Sequence, residues 1–175
     1  MKAYISSVGK YLPEKIITNK EFESFLDTSD EWIKSRTGIE KRRQLEFGKA
    51  SSFMAIKAIE ELIKRRKIDI QEIDCIIVST ITPDMVFPST ACLIQDYFKI
   101  KKCWGFDLSA ACSGFLFGIE TASSFIKSKK YKKVIVVGVD TMSSILDYED
   151  RNTCILFGDG AGAVLMEQSK DYGII

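Results

Sequence analysis

One cysteine among small residues offers the clearest chemistry in this chain. Residues 107–115 read Asp107-Leu108-Ser109-Ala110-Ala111-Cys112-Ser113-Gly114-Phe115. Cys112 follows an apolar run and precedes an apolar helical pattern. That order places the thiol at a helix N-terminus, where the backbone dipole favours a thiolate. The thiolate is the nucleophilic form, so the position suits covalent acyl transfer. A cysteine in an apolar helix is by itself more often inert packing, so the reading needs support from elsewhere. The chain contains no histidine, so a Cys–His pair cannot be completed within these 175 residues.

The other thiols carry less. Cys75, Cys92, Cys103 and Cys154 read as small buried apolar residues. No two cysteines form a C-x-x-C pair, so no metal site is expected. An odd count behind a start too short and polar for a signal peptide implies reduced thiols in the cytoplasm. No apolar run approaches the roughly 20 residues of a membrane span, so no membrane partner is expected. The net charge of +1 leaves no footprint for nucleic acid. With 46% hydrophobic and 28% charged residues, the chain can bury a core, and its length suits one domain or one large half of a bigger fold.

The elements that must position Cys112 follow from periodicity and capping. The opening run to Tyr11 alternates like a strand and ends at Pro13. Thr18 and Glu21 have capping-box spacing, predicting a short helix over residues 20–26. Thr28 and Glu31 repeat it, predicting a helix that carries Trp32 and Arg36 and stops at Gly38. Ser51 or Ser52 is expected to cap a third helix, with Lys64-Arg65-Arg66-Lys67 at its C-terminal end. Residues 75–79 form a continuous apolar strand, as in a sheet buried on both faces. A loop with Pro83 and Pro88 leads to a helix over 90–98, and residues 104–108 read as a second buried strand. Residues 112–127 form a long helix, apolar nearly all round at its start, which needs neighbours on every side. Residues 134–139 are a third buried strand, residues 158–162 a tight turn, and residues 163–166 a final strand. Strands alternating with helices argue an α/β architecture with a mostly parallel sheet. Few elements remain to build a layer over the apolar helix, so its covering is expected from elsewhere.

Several separated segments now fall into one order: Tyr11-Leu12-Pro13-Glu14, Thr28 to Ile33, Arg36-Thr37-Gly38-Ile39, Phe87-Pro88-Ser89, the Cys112 segment, Asp150-Arg151, and Phe157 to Ala163. Together they strongly resemble the β-ketoacyl-acyl-carrier-protein synthase III family, condensing enzymes that initiate type II fatty acid synthesis. The resemblance runs over residues 1–175. It implies a thiolase-like fold of two similar βαβαβαββ halves, each with a mostly parallel five-stranded sheet. A buried central helix carries the nucleophile, and residues 1–175 are the N-terminal half. The C-terminal half, absent here, normally supplies a histidine, an asparagine and one oxyanion donor.

The same resemblance assigns roles. Cys112 would attack the thioester of a short acyl-CoA such as acetyl-CoA, with its own N–H as an oxyanion donor. Malonyl-acyl-carrier protein would then decarboxylate and condense, giving a 3-oxoacyl-carrier protein, coenzyme A and carbon dioxide. Trp32 would stack on the adenine of coenzyme A, with Arg151 on its other face and Thr28 hydrogen-bonded to the base. Arg36 would meet the phosphates, which suit a guanidinium fork. Phe87 would cross a homodimer interface to close the partner's acyl pocket, which favours short acyl groups. Coenzyme A enters as substrate, and no other cofactor is implied. Asn152 departs from the family, where a glycine commonly follows the arginine.

Plainer readings stand beside these. Trp32 alone reads as core or staple, Arg151 as a surface charge, and Phe87 as ordinary loop burial. The glycine run lacks the lysine of a phosphate-binding loop. Lys41-Arg42-Arg43, Lys64 to Lys67 and Lys127 to Lys133 read as solvated faces, of which one could meet an acidic carrier protein. Three alternatives remain open for function. One is a related acyltransferase of secondary metabolism. Another is an inactive or split half-chain that dimerises or needs a second subunit. The third is a truncated product that folds poorly because its central helix is left partly uncovered.

Overall fold

An unbroken apolar run suits a strand only where both faces of its sheet are covered, and residues 75–79 meet that condition. In the computed structural model, Cys75 and Ile77 pack on one face of a sheet while Ile76 and Val78 pack on the other. The structure describes residues 1–171, 173 and 174; Tyr172 and Ile175, which close the stretch covered by the resemblance, lie outside the described residues. The elements are β1 (Lys2–Tyr11), β2 (Lys15–Thr18), α1 (Asn19–Glu23), α2 (Asp30–Thr37), β3 (Lys41–Gln44) and α3 (Ser51–Arg66). They continue with β4 (Cys75–Ser79), α4 (Thr90–Tyr97), β5 (Trp104–Leu108), α5 (Gly114–Lys127), β6 (Lys133–Thr141) and β7 (Asp159–Ser169). With β2 to β3 set aside as an insertion, the order is the expected βαβαβαββ.

The sheet runs β1-β7-β6-β4-β5. β4 is parallel to β5 and β6, while β7 is antiparallel to both β6 and β1. Four strands therefore point one way and β7 the other, which is the mostly parallel sheet expected. Helix α3 covers one face with Met54, Ile59 and Leu62 against Ile76, Val137 and Leu165. Helix α5 covers the other with Ala122 and Ile126 against Ile77, Val134 and Val136. Each aliphatic side chain buried this way contributes roughly 1.5–3 kcal/mol.

The helix over 114–127 is buried on one side only, in line with a covering that comes from elsewhere: Leu116 is 65% and Phe117 54% exposed. Its buried side is Gly114, Gly118, Ala122, Ser123 and Ile126, and no element among the described residues covers the rest. Three expectations need correction. β5 is the edge of the sheet rather than a buried strand, and Trp104 is 41% exposed. Residues 159–162 are not a turn but the start of β7, where Gly162 pairs with Gly138 and Gly160 with Asp140. Arg42 is buried, not solvated; its guanidinium donates to the Ile155 carbonyl and to Asn19 Oδ1 and lies 4.9 Å from the Phe22 ring centroid.

Two caps also differ. α1 has the expected Thr18–Glu21 capping box. α2 is capped by Ser29, one residue after Thr28, whose hydroxyl accepts from the Trp32 amide at 3.0 Å. It ends as expected at Gly38, in the left-handed region at φ 71° that glycine adopts without strain. α3 starts after Ala50, which has no capping side chain. The carboxylate of Asp84 supplies the cap instead, accepting from the Ser52 amide at 2.7 Å and from its hydroxyl at 2.5 Å. In the inserted segment β2 pairs antiparallel with β3, and its Phe22 and Ile33 share a small core with Cys154 and Ile155 from the stretch before β7.

Candidate active site

The chain turns sharply from β5 into α5, and Cys112 sits on that turn. Residues Ala111–Ser113 form one 3-10 turn, with Ser113 in the N-cap position of α5. Ala111 has φ 45°, in the left-handed region. Such a conformation costs a non-glycine residue on the order of 1–3 kcal/mol. The bend leaves Cys112 exposed, one residue before the N-cap. A thiolate there lies at the positive end of the α5 dipole. Gly114 allows α5 to start on the sheet: a Cβ at this position would stand 2.0 Å from Ser79 Oγ. The fold thus brings the Cys112 thiol to the carboxyl ends of β4, β5 and β6, where open α/β sheets place their ligands.

Cys112 lines an open depression of about 320 Å³ with Ser79, Phe115, Val139, Asp140, Met142 and backbone of the glycines at 138, 158 and 160. Asp140 is the one other ionisable side chain on its wall among the described residues. The arrangement can present a nucleophile and receive a small electrophile, but holds no imidazole. A second pocket of about 460 Å³ is lined by Thr80, Ile81, Met85, Val86, Asp107 and Ser109, among others. Beyond it the loop carries Val86 at 99% and Phe87 at 86% exposure, so Phe87 is not buried in its own chain.

The residues expected at a nucleotide meet in space. The Arg36 guanidinium lies 4.7 Å and that of Arg151 4.5 Å from the Trp32 ring centroid. Arg151 donates through Nη1 to the Asp27 carbonyl at 2.6 Å and stands 3.4 Å from Asp27 Oδ2. Asp150 shapes that turn, accepting from the Asn152 amide at 3.0 Å and the Thr153 hydroxyl at 2.6 Å. These bonds, that of Thr153 first, hold its carboxyl below the usual range. Thr28 Oγ1, beside Asp27, is buried without a hydrogen-bond partner among the described residues. A base inserted between Trp32 and Arg151 needs two stacking contacts, roughly 7 Å in all. At 4.5 Å the slot is closed in this conformation.

The family described as 3-Oxoacyl-[acyl-carrier-protein (ACP)] synthase III matches residues 106–175, which begin on β5 just before the Cys112 turn. A β-ketoacyl-[acyl-carrier-protein] synthase III from Chlorobaculum tepidum is 55% identical over all of this chain and 54% of its own length. The crystal structure of the synthase III from Aquifex aeolicus VF5 superposes with a TM-score of 0.93 at 47% identity, covering 97% of this chain and 55% of that one. The chain matches the N-terminal half of a β-ketoacyl-[acyl-carrier-protein] synthase III. Its fold is thiolase-like. It spans about half the length of the curated relatives it matches. A priming β-ketosynthase from the R1128 polyketide pathway is also similar, with a TM-score of 0.94 at 34% identity over 98% of this chain and 51% of that one.

In this chain the thiols separate as the sequence predicts, except one. Cys75 and Cys103 are buried, and burial pushes both thiols up to about 12. Cys154 is buried and also raised by burial. Cys92 is exposed on α4, contrary to expectation, and accepts a hydrogen bond from Ser89 Oγ. The sequence reading missed two organising carboxylates. Asp159 accepts from the amides of Leu45 and Ser143 at 2.7 and 2.8 Å and from the Ser143 hydroxyl at 2.6 Å. Asp140 gathers the residues after β4. Asp159 had a signal in its place inside the glycine run; Asp140 had none beyond ending an apolar strand.

Proposed function

We propose that this chain is the N-terminal half of a two-half acyltransferase that condenses a short acyl-CoA with malonyl-acyl-carrier protein. The observation that carries the reading is Cys112, exposed on a strained turn at the start of α5, in a chain aligned over its whole length with synthases III. The Cys112 thiolate attacks the acyl-CoA carbonyl. A new carbon–sulfur bond forms, the old one breaks, and coenzyme A leaves as a thiolate that takes up a proton. The acyl group then passes to the carbanion left when malonyl-carrier protein loses carbon dioxide. A second half would supply the imidazole and amide for that step, which agrees with the uncovered side of α5.

In this reading coenzyme A binds at Trp32, Arg36 and Arg151. Arg151 must leave the Trp32 ring to admit adenine, and Thr28 Oγ1 is a buried hydroxyl with hydrogen-bonding capacity to spare. A homodimer would form along the open edge of β5, with the exposed Phe87 reaching the partner's pocket. No helix among the described residues is long and apolar enough to cross a membrane, and the reading places the enzyme in the cytoplasm.

The test supplies the chain with the second half of a synthase III and follows acetyl-CoA and malonyl-carrier protein by mass spectrometry. Appearance of 3-oxoacyl-carrier protein only with both halves is expected. Its absence with both halves overturns the reading. Similarity to the polyketide priming enzyme favours one second reading, a related synthase with another acceptor. Turnover with polyketide carrier protein and none with the fatty acid carrier protein would support it instead.

A further inference from the structure

We propose that Asp140 is a positioning residue for Cys112, fixing the wall that sets how large a group can lie beside the thiol. This rests on reading Cys112 as the acyl acceptor. Asp140 lies near the carboxyl end of β6 and lines the depression that holds Cys112. Its Oδ1 accepts three hydrogen bonds: from the Ile81 amide at 2.8 Å and from the hydroxyls of Thr80 and Thr82, each at 3.1 Å. A carboxylate only accepts, so it orients both hydroxyls towards itself. Each hydroxyl oxygen is then turned to accept in its turn. Thr80 Oγ1 takes the Thr82 amide at 3.0 Å, and Thr82 Oγ1 takes the Thr141 amide at 2.8 Å. Ser51 Oγ donates to the Thr82 carbonyl at 2.6 Å and ties the turn to α3.

Thr80, Ser51, Thr82 and Thr141 are buried, where charge-assisted bonds hold position firmly. The turn they lock is also a wall of the neighbouring pocket, through Thr80 and Ile81. One carboxylate therefore spans both spaces. It shapes the first directly and fixes the side of the second through Ile81, which leads to Met85 and Phe87. Its effect on acyl size is exerted through that turn, without a bond to the acyl group.

The test uses probes that need neither coenzyme A nor a second half. Site-resolved mass spectrometry follows alkylation of Cys112 by N-ethylmaleimide and N-octylmaleimide, and hydrogen exchange follows the amides of residues 80–87. Asp140→Ala is expected to change the octyl-to-ethyl rate ratio about threefold or more. It should also speed exchange at Ile81 about tenfold or more. Asp140→Asn keeps an oxygen acceptor and should hold the ratio near wild type. Thr82→Val breaks the same network from the loop side and should shift the ratio as Asp140→Ala does. Leu62→Ala destabilises the opposite face of the sheet and should leave the ratio unchanged. An unchanged ratio in both Asp140→Ala and Thr82→Val overturns the proposal, as does an equal shift in Leu62→Ala. Failure of acetyl-CoA to acylate wild-type Cys112 would count against the acyl-transfer reading alone, because the maleimide ratio is read independently.

Discussion

Helices α3 and α5 press on opposite faces of one sheet, yet their outward sides differ in kind. α3 buries Met54, Ile59 and Leu62 and turns charge outward, with Lys57 paired to Glu60 at 2.8 Å and Arg65 to Glu61 at 3.1 Å. It is a finished surface of an ordinary amphipathic helix. α5 buries small residues, Gly114, Gly118 and Ala122, and turns Leu116 and Phe117 outward. Small residues on the buried side bring its backbone close to the sheet: a Cβ at residue 118 would stand 2.8 Å from Val136 Cγ1. The same closeness sets Cys112 over the ends of the strands. The stable side of the molecule and its reactive side are thus two treatments of one sheet.

The contrast can be broken at several points. Leu62→Ala should cost about 2–5 kcal/mol of stability, because it opens a cavity under α3; urea unfolding measures it. The thiols should divide by face and burial. Cys112 and Cys92 should alkylate readily in the folded chain, and Cys75 and Cys103 only on unfolding. Burial keeps the latter protonated up to about 12 against an ordinary 9.0. The folded chain then retains protons that the unfolded chain releases, so stability is intact below pH 9.0 and falls as pH rises towards about 12. Alkaline titration of the unfolding free energy measures that slope, and a flat profile would contradict it. Gly114→Ala should cost roughly 1–3 kcal/mol through its clash with Ser79. Ala111→Gly should stabilise by about 1 kcal/mol by relieving the left-handed turn. Smallest of all, Phe117→Ala should change stability by no more than about 0.5 kcal/mol. A loss as large as that of Leu62→Ala would show that α5 is covered after all.

Legibility in the sequence follows the range of the interaction. β4 and the end of α2 at Gly38 were readable because their causes lie within a few residues. Placing Trp32 near Arg36 rested on helical spacing, and bringing Arg151 to them rested on the family resemblance. The cap of α3 was not readable, because Asp84 lies 32 residues from Ser52. Nor was the burial of Arg42, whose carbonyl partner lies 113 residues away. The glycines at 158–162 looked like a turn because small residues serve turns and close strand contacts alike. Gly138 faces the ring of Phe115, 3.2 Å from where its Cβ would be, and only the fold shows that contact. β5 reads as buried for a related reason: its Trp104 and Phe106 are apolar although the strand is an edge, where Phe125 of α5 and Tyr131 gather beside Trp104. At the site, the exposed position of Cys112 before α5 was legible and the carboxylates around it were not, since aspartates at strand ends resemble any turn residue.

The most direct test is the mass of the protein after incubation with acetyl-CoA, with the modified peptide located. One acetyl group on Cys112, absent from Cys112→Ser while Cys92→Ser still acquires it, is the predicted result. Acetylation of Cys112→Ser to the same extent as wild type would contradict the assignment of Cys112 as the acyl-accepting thiol.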